Sequence, residues 1–263
     1  MIDVLKQKIR EAELVLIGIG EEWEVKQSDF EKNEMFLEAA ERCKKNSPLL
    51  PFIEKLFVEV MKSEQIENRE KNYHQLADLI KGKNYFLVSL CTDGMVHSVG
   101  LDDNRIVEPC GTMRKMQCSG KCSADLYEIS PELMQRVRDF VMGNIEKDEI
   151  VLPVCPKCGK PLVLNTILAE NYAEEGYLEK WKLYTKWLQG TVNKKVCILE
   201  LGVGMRFPTV IRWPFEKIAF FNQKASFFRV HSKLYQITEE IKDRSLGMQA
   251  SCEEFFKELC NED

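Results

Sequence analysis

The stretch Val196-Cys-Ile-Leu-Glu-Leu-Gly202-Val-Gly204 is an apolar run broken by one glutamate and closed by Gly-x-Gly. A run without alternation has no polar face to turn to water, so it predicts a strand covered on both sides, as in a parallel sheet. Glycines directly after such a strand let the backbone approach a ligand or another segment. That happens at the strand's carboxyl end, where open α/β sheets bind their ligands. Leu14-Val-Leu-Ile-Gly-Ile-Gly20 has the same design. Tyr85–Leu90 and Ala225–Val230 are further apolar runs, and Arg105–Val107 is a short one. With helical stretches between them, these runs predict a doubly wound, Rossmann-like parallel sheet.

Outward from the strands, residues 3–13 carry Leu5 and Ile9 at helical spacing. A helical insert spans about 30–82: Asn33–Arg42, Pro51–Val60, then Ile66–Ile80 stopped by Gly82. Phe36, Phe52, Phe57 and Tyr73 read as its core. Ser130-Pro131 opens a helix with a cap and a first-turn proline, running to about Gly143. Ala173–Leu188 is helical, and the spacing of Trp181 and Trp187 follows one helix face, so both read as packing residues. Pro208 is read as opening another helix. Ser251–Cys260 is amphipathic, with Phe255, Phe256 and Leu259 on one side.

Cys118-Ser-Gly-Lys-Cys122 and Cys155-Pro-Lys-Cys158-Gly159 are two close cysteine pairs separated by 32 residues. Thiolates at this spacing suit tetrahedral zinc, with backbone amides turned towards the sulfurs. The competing reading, unlinked buried thiols, fits the spacing less well. Four thiolates close the coordination shell, so the metal is expected to be structural. The chain is thus expected to divide into a large domain, 1–108 and 160–263, and an inserted zinc-ribbon module, 109–159.

The chain has 263 residues, 44% of them hydrophobic and 30% charged, enough to bury a core. A net charge of -5 argues against a general nucleic-acid or membrane-surface binder. No stretch approaches 18 uninterrupted apolar residues, and residues 1–13 hold no apolar leader. Ten cysteines without a secretion signal point to a reducing compartment, so a cytoplasmic location is expected.

The loops at the strand ends hold the chemistry. After the second strand comes Cys91-Thr-Asp93-Gly94-Met-Val-His97, and Glu108-Pro-Cys110-Gly111 precedes the first cysteine pair. Glu21 and Glu22 follow Gly20, where a phosphate loop would favour small or positive residues. Arg206 is placed to neutralise one of them. Neither His97 nor His231 has an obvious Asp partner in the sequence, which favours a satisfied polar role over catalysis.

Taken together, these pieces resemble a sirtuin, and most nearly the bacterial macrodomain-linked sirtuins called class M. Glu200-Leu-Gly-Val-Gly204, Pro208, Ile211-Arg212, Pro214-Phe215-Glu216 and Asn222 carry the likeness. So do Cys110-Gly111, Gln117-Cys118-Ser119 through Cys122, Cys155-Pro-x-Cys158-Gly159, Asn165 and the tail Arg244-Ser-Leu-Gly-Met-Gln. The resemblance implies NAD bound between the large domain and the zinc module, with Gly18, Gly20, Gly202, Gly204, Arg206 and His231 along the cofactor. It implies NAD-dependent protein ADP-ribosyl transfer, or deacylation. By the same likeness, a lipoylated carrier protein or a macrodomain protein would be the partner.

The catalytic positions implied are Cys91, Asp93 and Cys110, and only Asp93 is the family's residue. Cys91 stands where the family has its Asn, and Cys110 where it has His, or Gln in class M. Ile167 replaces a class M Arg, His231 replaces an Asn, and Glu21-Glu22-Trp23 replaces the usual small-residue phosphate loop. A thiol substitutes neither for an amide donor nor for an imidazole base. Cys91 and Cys110 are expected on opposite walls of one cleft. Two functions remain open: a sirtuin-type enzyme using unusual residues, or a sirtuin-fold binding or regulatory protein that has lost catalysis. The sequence predicts weak NAD binding and no NAD turnover.

Overall fold

The computed structural model describes residues 1–44 and 46–261. Helix α1 (Ile2–Glu11) buries Ile2, Leu5 and Ile9 beneath the sheet and leads into β1 (Leu14–Ile19), every residue of which is buried. The insert follows as α2 (Glu34–Cys43), α3 (Leu50–Glu59) and α4 (Glu64–Leu79). The Asn33 side chain accepts hydrogen bonds from the amides of Met35 and Phe36, and Ser63 accepts from Ile66, so two of the three helices start on a capping side chain. Phe36, Phe52, Phe57 and Tyr73 are core, as expected.

Strands β2 (Asn84–Ser89) and β3 (Ile106–Val107) extend the sheet to one side of β1. The chain then builds the small module and returns through α6 (Glu175–Gln189) to β7 (Val196–Leu201), α7 (Arg212–Phe221) and β8 (Ser226–Val230). It ends with β9 (Ser245–Met248) and α8 (Cys252–Asn261). The strand order is β3-β2-β1-β7-β8-β9, all parallel, so the connections change direction between β1 and β7. The carboxyl ends of those two strands form the crevice where this topology places its ligands. Strand β9 lies in the tail read only by resemblance. Pro208 sits in a turn ahead of α7, with Trp213 N–H bonded to its carbonyl at 2.9 Å.

The small module is a three-stranded antiparallel sheet, β5 (Leu126–Glu128), β4 (Gly111–Cys118) and β6 (Leu162–Thr166). Its last strand therefore lies wholly beyond the expected boundary at residue 159. Helix α5 (Pro131–Val141) lies within that range yet packs on α2 and α3. Arg42 donates to the Phe140 carbonyl at 2.8 Å and lies over the Phe140 ring. Apolar spacing on α5 required a partner, and the insert supplies it.

Candidate nucleotide crevice and four-cysteine centre

Gly20 and Gly202 meet backbone to backbone. A Cβ on Gly20 would lie 2.2 Å from the Gly202 carbonyl oxygen, and Gly202 adopts a left-handed φ of 64°. The pairing of β1 with β7 continues through Gly20 N–H to Leu201 O at 2.9 Å and Glu22 N–H to Gly202 O at 3.2 Å. Both glycines are needed for this contact between protein segments. Gly18 is further back, where a Cβ would meet Ile211 and Phe215, so it serves helix–sheet packing.

Above this contact the chain supplies its own anions. The Glu21 carboxylate accepts from the amides of Gly204 and Arg206, each at 3.2 Å. The Glu22 carboxylate accepts from the Ser232 amide at 3.2 Å and from the Ser232 hydroxyl. The Arg206 guanidinium lies over the Phe207 ring, so Arg206 reaches Glu21 through its backbone and not through the side-chain ion pair expected from sequence. His231 Nδ1 accepts from the amides of Lys233 and Leu234 at 3.0 and 3.1 Å. With that lone pair engaged, its 3.2 Å approach to Glu22 is a contact and not an ion pair. Burial also lowers the His231 pKa.

Trp23 holds this loop down. It is fully buried, edge-on to Tyr73 of α4 and Phe256 of α8, with centroids 4.6 and 5.3 Å away. Glu24, the acid not weighed in the sequence, turns inward and accepts from the Thr92 amide at 2.9 Å and the Thr92 hydroxyl at 2.6 Å. Asp93 accepts from Val25 and Met95 amides at 3.0 and 2.9 Å. Burial, then the neighbouring Glu24 charge, raises Asp93 to about 7. Arg69 ties the Glu24 carbonyl to Asp29.

Cys91 and Cys110 are both buried, on different faces of the large sheet. Cys91 belongs to the core shared with the insert, where its Sγ lies 3.4 Å from the Gly20 carbonyl. Cys110 belongs to the core under α6 and α7. Burial, with Asp93 and Glu24 adding to it, raises Cys91 well above an ordinary thiol, and burial beside Glu24 lifts Cys110 to about 12. Neither is poised as a thiolate.

The residues carrying the class M likeness in 200–216 are scaffold. Arg229 Nε donates to Glu200 at 2.6 Å and its Nη2 lies 2.8 Å from Glu216, both beneath the crevice. Arg212 donates to the Val203 and Leu234 carbonyls at 2.7 Å each, pinning the second glycine loop. Asn222 binds the Thr191 and Lys194 carbonyls. Asn165 donates to Gln117 Oε1 at 2.7 Å, and the same oxygen accepts from Ala173 N–H at 2.8 Å. Ile167 is partly buried against the α6 and α7 core.

The four zinc-spaced cysteines converge. All four sulfurs lie within 4.8 Å of one another, with Cys118–Cys158 at 3.4 Å and Cys122–Cys155 at 3.5 Å. Zinc–sulfur bonds of about 2.3 Å require sulfurs about 3.8 Å apart, so the quartet fits a tetrahedral ion. Amides of Cys122 and Gly120 turn towards the Cys118 sulfur and lower its pKa. Against the effect of burial, those of Lys157 and Cys158 bring Cys155 down to about 6. Thiolate stabilisation of this kind favours a metal.

His97 is not alone, contrary to the sequence reading. Its Nδ1 lies 2.7 Å from Asp103 and its Nε2 2.8 Å from Glu108. A cavity of about 730 Å³ is lined in part by Leu14, Asn84, Phe86 and Trp187. Leu14 and Asn84 begin their strands, so that cavity lies away from the crevice. Among the described residues no helix is long and apolar enough to cross a membrane.

No family model matches the chain. A Staphylococcus aureus protein named "Protein ADP-ribosyltransferase" is 24% identical over 94% of this chain and 82% of its own length. A Fusarium oxysporum protein named "Probable bifunctional ADP-ribose hydrolase/ADP-ribosyltransferase" is 26% identical over 52% of this chain and 24% of its own. Among solved structures, Sir2Tm bound to a propionylated peptide superposes with a TM-score of 0.54 at 13% identity, covering 99% of this chain and 98% of that one. A Sir2 homologue in complex with 2'-O-acetyl ADP ribose gives 0.54 at 14% identity, covering 100% and 96%. The chain has the sirtuin fold and is related in sequence to a protein ADP-ribosyltransferase.

Proposed function

We propose that this chain is a sirtuin-fold protein of the ADP-ribosyltransferase lineage that has become a zinc-stabilised binding or regulatory protein and does not turn over NAD. The observation that carries this reading is the Glu21 carboxylate on the amides of Gly204 and Arg206. Those strand-end donors are the ones a pyrophosphate would need. Displacing the carboxylate forfeits hydrogen bonds worth about 1.5–3 kcal/mol each, since they involve a charged group. Leaving it in place opposes the phosphate: two unit charges about 4 Å apart repel by about 4 kcal/mol under surface-like screening. Buried, high-pKa thiols at Cys91 and Cys110 supply neither an amide nor a base.

Cys118, Cys122, Cys155 and Cys158 would hold zinc as a closed structural site, linking β4 to the knuckle before β6. The partner would be a protein of ADP-ribose metabolism, a lipoylated carrier or a macrodomain protein. The Fusarium relative's name, which joins ADP-ribose hydrolysis to ADP-ribosyl transfer, supports that class. The rival reading, an active transferase, draws on the Staphylococcus relative's name and the retained Asp93. Calorimetry with NAD, alongside an assay for nicotinamide release, separates the two. Micromolar NAD binding with nicotinamide release by the wild-type chain overturns the proposal.

A further inference from the structure

The chain has 14 phenylalanines and 4 tryptophans, and among the described residues the exposed ones all lie on a single helix, α7. Trp213, Phe220 and Phe221 are 47%, 44% and 78% exposed. Every other Phe and Trp is buried or half-buried. The opposite side of α7 is ordinary core: Phe215 and Ala219 are buried against the large sheet, and Arg212 is buried on its carbonyl acceptors. An exposed aromatic concentration of this kind marks an interaction surface, because aromatics are enriched where partners meet.

Charge on the same face says what covers it. Steps of three and four residues run Trp213, Lys217, Phe220 and Phe221 along one stripe, and Lys224 follows just past the helix end. Lys217 and Lys224 are exposed, and neither side chain makes a hydrogen bond or ion pair among the described residues. The acids nearby are spoken for. Glu216 lies 2.8 Å from Arg229, and Glu13, which feels the charge of Lys224, is paired with Lys194. Arg244 adds a third cation at the helix end, on the Ala219 and Phe220 carbonyls. On a chain of net charge -5 this face is therefore locally positive.

We infer that the α7 stripe docks an acidic, amphipathic segment of a partner protein, with apolar residues over Phe220 and Phe221 and carboxylates facing Lys217 and Lys224. A second copy of this chain fits less well. A two-fold pairing through the middle of α7 would set Lys217 against its own counterpart, and like charges brought together disfavour a partner. An anionic bilayer spans far more than one helix and would meet the chain's net negative charge. A short segment lies within the Debye length of about 8 Å and feels the lysines first. This inference is independent of whether the crevice between Gly20 and Gly202 admits NAD.

The full-length protein is titrated, by fluorescence anisotropy, into a labelled amphipathic helical peptide with leucines on one face and glutamates on the other. A second peptide carries lysines in place of the glutamates. The acidic peptide is expected to bind at least tenfold more tightly, and Phe221→Ala or Lys217→Glu should each weaken it at least tenfold. Both residues are exposed, and the melting temperature of each variant reports whether it folds. No binding of the acidic peptide at about 0.1 mM overturns the inference. So does equal binding of the two peptides, or unchanged binding in the folded variants. Two further results also overturn it by giving the face another occupant: flotation of the protein with phosphatidylglycerol vesicles that Phe221→Ala abolishes, or a dimer in sedimentation that the same variant dissociates.

Discussion

Glu21 and Gly204 are 183 residues apart in the chain, and the carboxylate of the first accepts a 3.2 Å hydrogen bond from the amide of the second. The bond joins the loop after β1 to the loop after β7 across the point where the sheet's connections change direction. Removing it should reopen a donor pair. In the double variant Glu21→Ala, Glu22→Gly, NAD affinity should rise at least tenfold over wild type, a change of about 1.4 kcal/mol. Calorimetry reads it directly, and equal affinities would show that the carboxylates are bystanders.

Purified protein should contain about one zinc per chain, as four thiolates around one ion require. Replacing Cys118 or Cys155 with serine should remove the metal and sharply lower the melting temperature, because structural metal binding is part of the folding free energy. Metal-free protein with an unchanged melting temperature would count against a structural zinc.

Thiol labelling tests the burial of Cys91 and Cys110. In the native protein at pH 7.5, both should resist iodoacetamide over a time that labels them fully in denaturant, since each is buried with a raised pKa. Rapid native labelling of Cys110 would revive it as a candidate nucleophile.

His97 makes stability depend on pH. Burial alone would lower its pKa, but hydrogen bonds and charge from Glu108, then Asp103, raise it against the opposing charge of Arg114. A folded value above the unfolded value, about 6.5, means the imidazolium's contribution is fully present below that pH. It is lost as pH rises through the folded pKa. Asp93, raised to about 7, acts with the same sign, so only a difference measurement isolates the histidine. The stability gap between wild type and His97→Asn should therefore narrow from pH 6 to pH 9. A constant gap would mean that packing, not charge, holds the residue.

Trp23→Ala should destabilise the protein by about 3–5 kcal/mol, the cost of emptying a buried aromatic site. Denaturant unfolding measures it. A loss below about 1 kcal/mol would mean that Tyr73 and Phe256 do not anchor the loop.

The principal strands and helices were legible because burial on both faces, or on one stripe, leaves an unbroken or periodic apolar pattern. The convergence of Cys118, Cys122, Cys155 and Cys158 was legible because residues that could share a metal keep a characteristic spacing in the chain. Strand β9 escaped because Ser245-Leu-Gly-Met248 is short and contains a glycine, and its parallel pairing to β8 is a tertiary fact. Glu24 escaped because nothing in a run of acids says which one turns inward. Thr92, 68 residues away, decides that. The carboxylates around His97 lie only six and eleven residues ahead, but irregular loops have no period that would bring them to notice. Conversely, the glycines after β1 and β7 suggested a ligand crevice when their first contact is with each other.

Gln117 precedes Cys118, and its side chain holds both Asn165 of β6 and the backbone of Ala173 just ahead of α6. The four-sulfur centre is thereby wired to the aromatic helix that covers the large sheet. If zinc occupies the centre as proposed, stripping it would loosen the first turn of α6 as well as the knuckles. Trp181 and Trp187 should report the event in fluorescence from a distance, so the small sheet and the helix over the large sheet would loosen together.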